Sequence, residues 1–507
     1  MSGIVYLVGA GPGDPSLLTL RAAELIESAD VVVIDALVSP EILARIPRDA
    51  EVIDAGKRAS AHTLTQDRTN ALLVEKGREG KRVVRLKGGD PFIFGRGGEE
   101  AEELRRNGVP FEIVPGISSA IAGPAYAGIP VTHRSHATSV TFITGHESDN
   151  STGIPWSSLA ASRGTIVFLM GMANLPEITS RLVTEGLSSE TPVAVISRAT
   201  TPHQRTVTGT LETIAGNVAE AGLPTPALIV VGDVVSVRES IAWFETKPLF
   251  GRSIVVTRAR EQASGLKRLL EEAGARVIQF PTIETAPPAS FESLDKVIDS
   301  IGSYDWLIFT SVNGVRSFFQ RLAGRHLDAR SLSRAKIAAV GKVTADLLAS
   351  YGIIADLVPD RFQSVALLPL LPQDFRGMRA AVVRAAEGRE EVIDEIRARG
   401  GEVDLAVAYE TRAVPHQQAE LDAMLGNGSI DCVTFTSAST VEHFFGMLTD
   451  EQRATLGTSA TLASIGPTTS AALRKLGVEP DLESEEASVP ALVETVVRHF
   501  TGMDSRT

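Results

Sequence analysis

Short apolar runs alternate with longer amphipathic ones along the whole chain. IVYLVGAG from Ile4, VVVID from Val31, VVRLKGG from Val83 and FEIVPG from Phe111 are brief, rich in β-branched residues and bounded by glycine, proline or charge, which predicts buried strands. Between them, LLTLRAAELIESA and GEEAEELRRNG return their apolar side chains at helical spacing, which predicts helices packed on the strands. Strand and helix in alternation predict an α/β fold. The pattern is interrupted at WFETKPLFGRSIVVTRA, where Lys247-Pro248 and Gly251-Arg252 precede a new strand from Ser253. A linker is expected over 246–251, with one domain over 1–245 and another over 252–507.

The second half repeats itself. LIFTSVNGVRSFF from Leu307 answers VTFTSASTVEHFF from Val433. IAAVGKVTADLLASYGI from Ile337 answers LASIGPTTSAALRKLGV from Leu462, and the segment from Val255 answers that from Val382. The interval is about 125 residues each time, a common domain size. Two similar α/β units are therefore expected, each with small polar residues at strand-to-helix turns. Ser and Thr there suit helix caps, and the same free amides and hydroxyls suit carboxylates or phosphates.

At 507 residues the chain is too long for a single ordinary core, and its 43% hydrophobic and 22% charged residues are those of a globular protein. No apolar run reaches the length of a membrane span, and MSGIVYLVGAGPGD enters strand-like sequence at once, so a cytoplasmic location without membrane association is expected. The net charge of −13 argues against a general nucleic-acid partner. The single cysteine, Cys432, lies in the strand-like DCVTFTS, and His133 and His136 have no further ligand nearby; no metal is expected.

Candidate chemistry concentrates in LKGGDPFIFGRGGEE, residues 86–100. Glycine pairs on both sides of an acid and a proline, directly after a strand, allow backbone to approach a ligand closely. VYLVGAGPGDPSLLTLRAAE is a second strand, glycine turn and helix, with glycines at 9, 11 and 13 rather than in the dinucleotide spacing.

Together with VVVIDALVSPEIL, DAGKR, VPGISSAIAGPAYAGIPVTHR, FITGH, IVFLMGMANL, RTVTGTLETI and PALIVVGDVV, these motifs resemble uroporphyrinogen-III C-methyltransferase of the tetrapyrrole methylase family, over residues 3–245. The resemblance implies a two-lobed fold, S-adenosyl-L-methionine as methyl donor, S-adenosyl-L-homocysteine as product and a homodimer formed through this half. It places Pro12, Gly88, Gly89, Asp90, Ile93, Ser118, Ser119 and Met170 at the methyl donor. Ala199 joins them where the family often has glycine. Arg96, Glu99, Arg134 and His146 would face the tetrapyrrole, with Asp35 as proton acceptor and Lys57 as proton donor.

The duplicated half resembles uroporphyrinogen-III synthase over residues 252–500, through VTRA, FTSVNGV, AVGKVTA, AYETR and IGPTTSAAL. That family implies two doubly wound parallel-sheet units, one of about 252–284 plus 412–500 and the other of about 285–411, joined by PTIETAP and AYETRAV. Tyr409 matches a tyrosine proposed to help a hydroxyl leave. Arg258, Thr310, Ser311, Thr344, Ser437, Thr468 and Thr469 are candidates for holding carboxylates. The implied enzyme closes hydroxymethylbilane to uroporphyrinogen III with loss of water and methylates it at carbons 2 and 7 to precorrin-2, for sirohaem or cobalamin synthesis. Two alternatives stand beside it: a methyltransferase with a catalytically silent tetrapyrrole-binding module, and methylation of a later corrinoid precursor.

Overall fold

The computed structural model describes residues 3–56, 65–145, 153–258, 260–359, 364–388, 390–414, 421–422, 425 and 430–502. The chain divides into two compact units. One holds residues 1–252 with 270–276 and 500–507, and the other holds 253–269 with 277–499.

The first unit contains two sheets. β1 (Ile4–Gly9), β2 (Val31–Ile34), β3 (Glu51–Asp54), β4 (Arg82–Lys87) and β5 (Phe111–Val114) form a parallel sheet in the order β3-β2-β4-β1-β5. The apolar runs explain the central strands: all four residues of β2 are buried, as expected where helices cover both faces. Each such valine or isoleucine contributes about 1.5–3 kcal/mol. The second sheet, β6 (Val140–Thr144), β7 (Thr165–Leu169), β8 (Pro192–Ser197), β9 (Arg205–Thr210) and β10 (Ala227–Val231), has the order β6-β7-β10-β8-β9. Only its β6–β7 pair is parallel. β8 and β9 join through a short turn, which permits antiparallel pairing without a crossover helix.

Residues 246–251 are turns rather than slack chain. Leu249 is fully buried, Phe244 packs edge-on against Tyr126 and Phe250, and the Lys247 ammonium sits 5.3 Å from the centres of the Trp243 and Phe244 rings.

In the second unit, β11 (Ser253–Val256), β12 (Arg276–Gln279), β18 (Cys432–Phe435), β19 (Thr461–Ser464) and β20 (Leu482–Glu483) form a sheet in the order β12-β11-β18-β19-β20. The other sheet, β13 (Ile283–Ala286), β14 (Trp306–Phe309), β15 (Lys336–Ala339), β16 (Arg379–Ala385) and β17 (Glu402–Ala413), has the order β13-β17-β16-β14-β15. The two share a plan. β11, β18 and β19 stand in one as β16, β14 and β15 stand in the other, and a bridge from Ala338 to Leu357 matches the β19–β20 pairing.

The repetition extends to backbone ties. Asp305 and Asp431 accept from the amides of Arg379 and Ser253, at 2.9 and 2.8 Å. Asp356 and Asp481 accept from those of Ile337 and Leu462, at 2.7 and 2.8 Å. β13 runs antiparallel to the end of β17, where PTIETAP and AYETRAV meet. Among the described residues, no helix is long and apolar enough to cross a membrane.

Candidate active site

The first unit's site follows from its strand order. The chain leaves β1 toward β2 on one side of the sheet and leaves β4 toward β5 on the other, and β1 and β4 are neighbours. Such a switch point opens a crevice at the carboxyl ends of the two strands. The loops of the Gly9 and Gly88 motifs emerge there. Gly11 and Gly89 exchange backbone hydrogen bonds, with Gly89 N–H donating to Gly11 O at 2.7 Å and Gly11 N–H to Gly89 O at 3.2 Å. The third loop closes on them: a Cβ at Gly116 would stand 2.3 Å from the Gly89 carbonyl oxygen. Gly89 itself has φ +68°, where a side chain is strained.

Asp90 ties these loops together. One carboxylate oxygen accepts from the amide of Phe92 at 2.8 Å and the other from that of Gly116 at 3.0 Å. Ile93 is half-buried beyond it. Ser118 is buried and caps the helix Ser119–Tyr126 by accepting from the Ala120 amide, and Ser119 opens that helix. Pro12 is half-buried in the first loop.

The second sheet brings its own turns. Met170, directly after β7, has φ +56° and is 55% exposed. A non-glycine side chain in the left-handed region is uncommon and carries backbone strain. Ala199 is not strained: the positive φ values fall on its neighbours Arg198 and Thr200, while its methyl group lies in the apolar cluster of Ala120, Ile196 and Leu228. An alanine therefore fits where the family often has glycine. The turn is joined to the first loop by Asp14 N–H donating to the Thr200 hydroxyl at 3.2 Å. Tyr126 OH donates to Asp14 at 2.8 Å, and burial, helped by that carboxylate, pushes the Tyr126 phenol well up.

Asp35 sits at the end of β2, half-buried, with its amide donating to the Leu86 carbonyl at 3.1 Å and its carboxylate accepting from the Ala36 amide. Arg96 has φ +59° at the start of the helix Gly97–Arg106. It grips Glu99 with two hydrogen bonds of 2.9 and 2.6 Å, which raises the Arg96 pKa and holds the Glu99 carboxyl below its usual value. Arg134 is exposed on the turn closed by His133 and Ala137. Lys57 and His146 lie outside the described residues.

Sequence reasoning missed a buried charge cluster beneath the glycine loop. Glu100 is fully buried and accepts from Lys87 Nζ at 2.9 Å and Arg85 Nε at 3.1 Å. Burial, and secondly the Arg85 charge, push the Lys87 pKa down. The available signal was Arg85 and Lys87 on one side of the strand RVVRLK, where only the first of its three cations, Arg82, is exposed.

In the second unit, Ser311 and Tyr409 are brought together, their hydroxyls 3.0 Å apart. Ser311 also caps the helix Val312–Gly324 by accepting from the Gly314 amide. Thr310 OH donates to the Val383 carbonyl at 3.3 Å, and Thr344, buried, donates to that of Val340. A cavity of about 640 Å³ runs beside the same helix, lined by Asn313, Arg316, Ser317, Gln320, Phe291 and Thr285 among others. Ser437 is the counterpart of Ser311 in the other sheet, with a reciprocal cap to Thr440. Thr468 is exposed and Thr469 buried in the first turn of Pro467–Lys475. Arg258 follows β11 half-buried, and burial pushes its pKa below the ordinary guanidinium value.

Comparison with known proteins matches a different family to each half of the chain. Residues 4–215 match the family described as Tetrapyrrole (Corrin/Porphyrin) Methylases, and residues 264–494 match Uroporphyrinogen-III synthase HemD. The porphyrin biosynthesis protein HemD of Ruminiclostridium josui is 39% identical over 98% of this chain and 98% of its own length. A siroheme synthase of Pseudomonas aeruginosa (strain LESB58) is 56% identical over 48% of this chain, which spans 52% of that relative. The uroporphyrin-III C-methyl transferase of Thermus thermophilus, solved in complex with S-adenyl homocysteine, is 40% identical, covering 46% of this chain and 100% of its own with a TM-score of 0.40. The full-length match and the two family matches place the chain in the family of the porphyrin biosynthesis protein HemD, with a tetrapyrrole methylase and a uroporphyrinogen-III synthase in one polypeptide.

Proposed function

We propose that this bifunctional enzyme of tetrapyrrole biosynthesis closes hydroxymethylbilane to uroporphyrinogen III and then methylates that product at carbons 2 and 7, giving precorrin-2. The observation that carries the first unit's role is the convergence of the Gly11, Gly89 and Gly116 loops on the carboxyl ends of β1 and β4, a cradle that a single Cβ at Gly116 would fill. This cradle suits S-adenosyl-L-methionine: exposed backbone for its polar groups, with the apolar Ile93 on the same loop, its amide donating to the Asp90 carbonyl. The donor supplies an electrophilic methyl group on a sulfonium.

The chain's part is to orient and to move protons. Asp35 takes the proton that the methylated pyrrole must lose, and Lys57 returns one. Asp90 keeps the donor loop closed through its two backbone amides. Arg96 binds a substrate carboxylate with its planar fork. Glu99 occupies that fork in the free protein, and because the pair is exposed its exchange costs about 1 kcal/mol or less. Exposed Phe92, Phe94, Ile117 and Ile121 beside the loops suit contact with a second copy of this half.

In the second unit, the Ser311–Tyr409 pair supports the synthase reading. Tyr409 donates a proton to the departing hydroxyl, while Ser311 and the free amides at the helix starts receive carboxylates. The bilane is flexible and closes unaided to the wrong isomer, so the larger task is to hold its ends.

The test supplies hydroxymethylbilane and S-adenosyl-L-methionine anaerobically and resolves the products by isomer and mass. Type III isomer with two added methyl groups is expected. Only type I material, with methylation restored when uroporphyrinogen III is supplied, would instead assign a silent binding role to the second unit.

A further inference from the structure

The loop from Gly88 to Glu99 leaves β4 and returns as a helix, and the residues at its two feet meet beneath it. Lys87, the last residue before the loop, and Glu100, the first fully buried carboxylate after it, are 2.9 Å apart. Arg85 Nε and Gln66 Nε2 converge on the same Glu100 oxygen at 3.1 and 3.2 Å, and a further Arg85 N–H donates to the Val33 carbonyl at 3.3 Å. The other Glu100 oxygen is buried without a partner. Asp35 completes the set. Ile34 pairs with Leu86, and the ladder continues through the Asp35 amide, so Asp35 stands across from Lys87. Among the described residues, the charged groups around Lys87 are Arg85 on its own strand, Glu100 and, beyond it, Glu99 on the following helix, and Asp35 on β2, with the neutral Gln66 from the helix Gln66–Arg78.

Two cations on one buried carboxylate are a poor way to add stability, since apolar side chains would hold a strand to a helix as well. Their directionality is what apolar packing lacks. We propose that Lys87, Arg85 and Glu100 form a clasp that positions the loop, holding Gly88-Gly89-Asp90 and Arg96 in one fixed geometry for the methyl donor and the tetrapyrrole. These are positioning residues, and the inference rests on the methyltransferase reading above.

The full-length protein tests it, with S-adenosyl-L-homocysteine as the probe in calorimetry and S-adenosyl-L-methionine in kinetics. Lys87→Met is expected to weaken S-adenosyl-L-homocysteine binding and raise the donor KM about ten-fold or more, with kcat changed less than about three-fold, while Lys87→Arg restores both. A pH series adds a sign. Lys87 has a lowered pKa, so its ammonium, and with it the clasp, is lost as pH rises through that value; S-adenosyl-L-homocysteine binding falls at alkaline pH in the unaltered protein and persists in Lys87→Arg, whose guanidinium stays charged.

A folded Lys87→Met with unchanged binding, or a loss that arginine does not restore, overturns the clasp. If Lys87→Met does not fold, the alkaline profile of Lys87→Arg decides, and a fall identical to that of the unaltered protein overturns it. Failure of the unaltered protein to bind S-adenosyl-L-homocysteine overturns the methyltransferase reading and this inference together.

Discussion

The two units assemble their candidate sites by different physical means. In the first, the residues stand where the backbone is forced: Gly89, Arg96 and Met170 have positive φ, as do Arg198 and Thr200 beside Ala199, and three glycine loops touch backbone to backbone. In the second, the candidates sit in ordinary conformations, as helix caps at Ser311 and Ser437, in the first helical turn at Thr468 and Thr469, or within a strand at Tyr409. A loop that must pass within 3 Å of another tolerates only particular residues, and so writes a motif. A capped helix accepts Ser, Thr, Asp or Asn, and leaves little trace beyond the fold.

Substitutions can break this contrast, beginning with the largest expected effect. Asp35→Asn should lower the methylation rate by about 10²–10⁴-fold, the range for removing a general base, with bilane cyclisation unchanged. Separate assays of the two products check it; equal loss of both in a folded protein would end the division of labour. Gly116→Ala should come next, because the added Cβ meets the Gly89 carbonyl oxygen at 2.3 Å. Overpacking costs of about 1–3 kcal/mol are expected in denaturant unfolding, with weaker S-adenosyl-L-homocysteine binding.

In the second unit the effects should be smaller. Tyr409→Phe keeps the ring but removes the hydroxyl 3.0 Å from Ser311, so cyclisation should slow by about ten-fold or more, with a stability loss of about 0.5–1.5 kcal/mol. Methylation of supplied uroporphyrinogen III should not change. An unaltered cyclisation rate would reduce Tyr409 to a packing residue. Smallest is Ser437→Ala, which removes a helix cap at about 1 kcal/mol in thermal unfolding of the second unit and should leave methylation untouched. A stability loss confined to the first unit's transition would contradict the assignment of Ser437 to the second.

Some of the molecule was legible before any coordinates. The alternation of apolar and amphipathic runs carried the α/β class, because buried strands and half-buried helices differ in hydrophobic period. The duplication in the second half was visible in FTS and VG turns, and the two sheets share its plan. The paired Asp ties at 305 and 431 and at 356 and 481 were not legible, since an isolated aspartate says nothing of which amide it will meet. Ala199 shows the same limit: the sequence marked a departure from glycine, and only the dihedral angles on either side show that the strain lies on its neighbours.

By itself, then, the sequence determined the fold class, the repeat and the glycine loops that bear candidate chemistry, because periodicity and glycine's freedom are local properties of the chain. Tertiary structure decided which side chains meet. Lys87 and Glu100, separated by a whole loop, share a hydrogen bond because that loop folds back on its strand, and Ser311 reaches Tyr409 across nearly one hundred residues because β14 and β17 flank β16 in one sheet. Contacts of that range depend on strand order and packing, which no local pattern encodes.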